Sequence, residues 1–77
     1  MEKPPNRPVP AAFGEFLTSQ RVAKHMTQKE VAALSGTSTA SYKRMERGYG
    51  RVDFETAVAV CEVLGVSISQ FVREYKS

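Results

Sequence analysis

The residues with the most chemical potential lie between Gln28 and Arg51. From Lys43 to Arg51 four cations, Lys43, Arg44, Arg47 and Arg51, accompany a single acid, Glu46, whereas the stretch from Asp53 to Glu74 carries four acids and one arginine. Guanidinium and ammonium groups gathered in this way bind anionic oxygens, phosphate above all. Alone, such a run is the solvated face of an ordinary helix, so its meaning depends on what holds it. Catalysis has no comparable footing. His25 is the only histidine; with no Cys/His cluster around it no metal site is expected, and it reads as a helix-end or surface residue. Cys61 is the only cysteine and falls on an apolar helical face, where a thiol behaves as a small hydrophobe. Ser38 and Ser41 are explained as caps and exposed polar positions. There is no Ser-His-Asp order, no pair of carboxylates in apolar surroundings and no phosphate-cradling glycine loop. No catalytic residue and no cofactor are expected, and an enzyme is not predicted.

The elements that must position the cationic cluster are legible around it. Thr27 and Glu30 make a T-x-x-E capping box, so a helix starts at Gln28, with Val31, Ala32 and Leu34 as its apolar positions. Gly36 follows where a left-handed residue lets the chain reverse. Ser38 caps a second helix running from Thr39 to Glu46 and stopping at Gly48. Two short helices joined by so tight a turn form a helix-turn-helix, whose second helix can enter the major groove of DNA. That setting changes the reading of the charge run.

Around this pair the spacing predicts three more helices. Pro10 can open a helix whose face comprises Phe13, Phe16, Leu17 and Ala23, with Gly14 as a weakening interruption. Asp53 caps a fourth helix with Phe54, Ala57, Val58, Cys61 and Leu64 on one face, ended by Gly65. Ser67 caps a fifth that buries Ile68, Phe71 and Val72. The expectation is an all-α domain spanning residues 11–77, preceded by a proline-rich basic arm over residues 1–10, where Lys3 and Arg7 would serve as a soluble tail or reach DNA.

Seventy-seven residues with 42% apolar and 25% charged content make one small domain with a net charge of +3. A single core of this size supplies only about 3–5 kcal/mol, so dimerisation is a natural supplement. Val60, Val63, Ile68 and Val72 exceed what one face can bury, and they are expected to form a dimer interface. A lone cysteine suits a reducing cytosol, and no apolar run approaches the ~18 residues of a membrane span. The expected location is cytoplasmic and nucleoid-associated.

Arg21, the run Met26-Thr27-Gln28, Ala32 and Gly36 at the turn, Glu46-Arg47-Gly48, and Leu64-Gly65-Val66-Ser67 occur together in this order. In these features the chain resembles the Cro/C1-type (XRE-like) helix-turn-helix family of bacterial and phage DNA-binding proteins. The resemblance implies a compact five-helix, lambda repressor-like fold and a two-fold symmetric dimer on a palindromic operator. It implies that Ser38, Thr39, Ala40, Lys43 and Arg44 face base edges and that Gln28, Arg47, Tyr49 and Arg51 hold phosphates. It also implies that Arg21 and Glu46 form a structural ion pair. A guanidinium such as that of Arg44 can bond guanine O6 and N7 as a fork. His25 stands where the family usually has a glycine, Met45 where it often has an aromatic residue, and Tyr42 where it often has isoleucine. The function expected is a sequence-specific regulator of transcription, most simply a repressor. The alternative is a protein-interaction module on the same scaffold, with a protein partner such as a toxin or polymerase subunit and weak DNA binding.

Overall fold

The computed structural model describes residues 8–49 and 51–76. They form five helices: α1 (Val9–Ala23), α2 (Gln28–Ser35), α3 (Thr39–Glu46), α4 (Phe54–Leu64) and α5 (Ile68–Lys76). There is no strand among the described residues. The domain is all-α, as the periodicity predicts.

Helix α1 begins at Val9, one residue before Pro10, where the sequence allows it to open. A proline in the first helical turn loses nothing, because its missing N–H would have no intrahelical acceptor. The first bond of the helix is donated by Ala12 N to Pro8 O, at 3.0 Å. Val9 and Pro10 therefore belong to the helix and not to an arm, while Lys3 and Arg7 lie outside the described residues. His25, just beyond α1, has φ +57°. This left-handed conformation explains why a glycine is the common choice there.

The core gathers Leu17, Val31, Tyr42, Val60, Cys61 and Leu64, all fully buried. Phe71 fastens α5 to α1, with its ring edge-on to Phe13 at 5.1 Å and tilted on Phe16 at 5.4 Å. Five expectations drawn from helical spacing need correction, the first being Val72, expected to be buried in α5 but 40% exposed. Ala23, Leu34 and Phe54 are exposed, the last two at 68% and 73%, because each stands at the end of its helix where no neighbour covers it. Val60, assigned to a dimer interface, is instead fully buried within its own chain. Helix α4 packs against α1, α2 and α5 at once. Its buried stripe is therefore wide enough to take Val60 beside Cys61 and Leu64.

Candidate nucleic-acid interface

The two helices of the motif are placed by their caps. Thr27 Oγ1 accepts from Glu30 N at 3.0 Å and Thr27 N donates to Glu30 Oε1 at 2.8 Å, so α2 starts at Gln28 without choice. Gly36, at φ +79°, ends it, and Thr37 N turns back to bond Ala32 O at 3.0 Å. Ser38 Oγ then accepts from Ser41 N at 3.0 Å and starts α3.

Within α3, Tyr42 and Met45 point into the core, and Ala40, Ser41, Lys43 and Arg44 are exposed. Thr39 is half-buried, and the exposed Ser38 spends its oxygen on the cap. The five residues expected to face bases are thus brought together at and beyond the start of one helix. The other end of α3 rests on α1 almost backbone to backbone. A Cβ at Gly14 would lie 2.7 Å from Met45 O, and one at Gly48 would lie 2.7 Å from the Ala11 Cα. Gly14, which looks like a flaw in α1 when read for helix propensity, is the seat of α3.

Beyond α3, Tyr49 N bonds Arg44 O at 2.9 Å, folding the loop back toward α4. Arg44, Tyr49 and Arg51 thereby line a single cleft of about 310 Å³ with Thr37, Ser41 and Asp53. Arg47 is exposed but does not line it. Asp53 was not foreseen as a member of this group, since its role as a cap accounts for it fully. Its Oδ1 accepts from Thr56 N at 2.8 Å, and that bond holds the carboxyl below its ordinary value. A fixed negative charge beside two arginines limits where a polyanion can sit.

Arg21 and Glu46 meet as an ion pair, with Arg21 Nε 2.7 Å from Glu46 Oε2 and Nη2 3.2 Å from Oε1. Arg21 Nη1 also donates to Met26 O at 3.0 Å. Gln28 is drawn into the same network, its Nε2 donating to Glu46 Oε1 at 2.9 Å. Spacing offered no sign of this bond, because it spans 18 residues and joins two helices. Burial pushes the Glu46 carboxyl up, but the Arg21 guanidinium and the other donors around it outweigh burial and hold it low. The Arg21 guanidinium is correspondingly pushed up, first by its bond to Glu46. Beside the pair, the buried Tyr42 hydroxyl lies near Glu46 without meeting hydrogen-bond geometry to any described residue; burial first, and the Glu46 carboxylate next, push its ionisation far up. The Cys61 thiol is likewise raised by burial, as suits a core residue.

No group of His, Cys, Asp and Glu that could hold a metal ion occurs among the described residues. No single helix among the described residues is long and apolar enough to cross a membrane. The phage transcriptional repressor RstR of Vibrio cholerae is 38% identical over 56 residues, covering 73% of this chain and 50% of its own length. The chain thus spans about half the length of that relative. The crystal structure of the clp gene regulator ClgR from Corynebacterium glutamicum superposes with a TM-score of 0.87 at 32% identity, over 94% of this chain and 77% of that one. The restriction-modification controller protein C.AhdI from Aeromonas hydrophila superposes with a TM-score of 0.76 at 26% identity, over 79% of this chain and 92% of that one. A helix-turn-helix family model matches residues 17–71, from the middle of α1 to the aromatic anchor of α5. The chain belongs to the Cro/C1-type helix-turn-helix family.

Proposed function

We propose that this chain is a sequence-specific regulator of transcription, a repressor that binds double-stranded DNA as a homodimer on a palindromic operator. One observation carries the reading: the exposed face of α3 presents Lys43 and Arg44 beside short side chains, and Arg44 shares a cleft with Tyr49 and Arg51. Arg44 reads a base pair, Ser38, Thr39, Ala40 and Lys43 complete the contact in the major groove, and Gln28, Arg47, Tyr49 and Arg51 hold the phosphates. Relatives described as a phage repressor and as gene regulators support the regulatory role. A chain so employed resides on the nucleoid, in the cytoplasm.

The homodimer closes over an apolar groove of about 320 Å³ where the start of α1 meets α4 and α5, lined by Val9, Pro10, Phe54, Ile68 and Val72 with Phe71 beneath. Ile68 and Val72 keep the role that sequence suggested for them. Val63 is half-buried on the core and lies outside the groove, while Phe54 and Val9 join it in place of Val60.

Selection of bound duplexes from a random library tests the reading, followed by binding of the best sequence and a scrambled one at two salt concentrations. The expected result is a palindromic motif bound at least about a thousandfold more tightly than scrambled DNA. No enriched motif, with weak binding lost at moderate salt, would refute it and move the function to a protein partner.

A further inference from the structure

We propose that Glu46 is the positioning residue for the phosphate contact of Gln28, so that the two helices of the motif meet DNA as one unit. The inference rests on the regulator reading and adds to it a residue that the family resemblance assigned only to an ion pair. Glu46 closes α3 with a side chain 5% exposed, and both of its oxygens are engaged. Arg21 grips them with Nε and Nη2 while its Nη1 holds Met26 O, immediately before the Thr27 cap of α2. The carboxylate is therefore a fixed point between the end of α1, the start of α2 and the end of α3.

Gln28 leans on that point. Its backbone is set by the capping box, and its side-chain amide donates to Glu46 Oε1 at 2.9 Å. An ionised carboxylate only accepts hydrogen bonds, so it fixes which end of the amide faces it. The NH2 group turns to Glu46 with one N–H and keeps the other, which makes no further bond among the described residues. A phosphate oxygen is also purely an acceptor and needs that second N–H. Without Glu46 the glutamine would rotate freely, present oxygen as often as nitrogen, and lose that freedom on binding. Glu46 itself touches no DNA in this arrangement.

A double-mutant cycle on the best-binding duplex tests the proposal, using Gln28→Ala, Glu46→Gln and the pair. In the unaltered background Gln28→Ala should weaken binding about tenfold, and in the Glu46→Gln background less than about twofold. Equal factors in both backgrounds would overturn it. Should Glu46→Gln unfold the chain, side-chain amide NMR of the unaltered protein decides. The two Gln28 amide protons should be more widely split than those of Gln20 and Gln70, and one of them should shift further when the duplex is added. Averaged, unshifted resonances would overturn the proposal. Absence of DNA binding by the unaltered chain would overturn the regulator reading together with this one, whereas binding with uncoupled effects overturns this one alone.

Discussion

Replacing Gly14 with alanine sets two physical arguments against each other with opposite signs. Helix propensity alone favours alanine in the interior of α1 by about 0.8–1 kcal/mol. The tertiary structure opposes it, since the new Cβ would stand 2.7 Å from both Met45 O and Glu46 C. Both neighbours are backbone, anchored by the Arg21–Glu46 pair and by the Gly48 seat on Ala11, so neither can move aside as a side-chain tip could. Overpacking of this kind typically costs about 1–3 kcal/mol; immovable neighbours place it at the upper end, leaving about 1–2 kcal/mol of net destabilisation after the propensity gain. For a domain of this size each kcal/mol shifts Tm by about 4–8 °C, so Gly14→Ala should melt roughly 4–16 °C lower. Ser19→Ala, at an exposed position of the same helix, is the control and should gain about half a kcal/mol from propensity alone. The assay is thermal unfolding by circular dichroism at fixed protein concentration. A Tm for Gly14→Ala equal to or above that of the unaltered chain would refute the seat.

Arg44→Ala should relax preference at one base pair by about 1–3 kcal/mol, while Arg51→Ala should weaken all sequences alike and reduce the salt slope by about one. Competition binding with single-base variants of the selected site separates the two, and equal effects would remove Arg44 as a base reader. Phe54→Ser should leave Tm nearly unchanged at low concentration, since the ring is 73% exposed, yet shift sedimentation in a dilution series toward monomer. An unaltered chain that is already monomeric at high micromolar concentration would dispose of the groove as an interface. Folding lowers the Glu46 pKa below its ordinary 4.5, so the unfolded chain takes up that proton first. The stabilisation is therefore present above pH 4.5 and is lost as pH falls through the lower folded value. Melting curves from about pH 6 to 3 should show this loss, and Glu46→Gln should flatten it. Identical slopes for the two proteins would refute the assignment.

Local signals in the chain proved sufficient for the elements, because each acts within a few residues. Thr27, Ser38, Asp53 and Ser67 all accept the backbone bond three residues on that their spacing predicts. Periodicity located Phe13, Phe16, Leu17, Cys61 and Leu64 in the core. It failed at Leu34 and Phe54 because a helical face continues past the point where its neighbour ends, and at Val60 because three helices widened the buried stripe of α4. At the site, the exposed cations of α3 were readable as a run along the chain. The bond from Gln28 to Glu46 and the place of Asp53 beside Arg44 and Arg51 were not, since both depend on which residues the turn folds together.

One asymmetry among the helices bears on how the chain folds. Helices α2 to α5 each carry a side-chain cap, while α1 opens on Pro8 without one and holds a glycine at its centre. Without that local start signal, α1 is fixed by tertiary contacts, where Gly14 meets α3 and Phe13 and Phe16 meet Phe71. Its helicity thus leans on packing against α3, α4 and α5. The surface on which α3 is seated is thus itself held in shape by the element it seats.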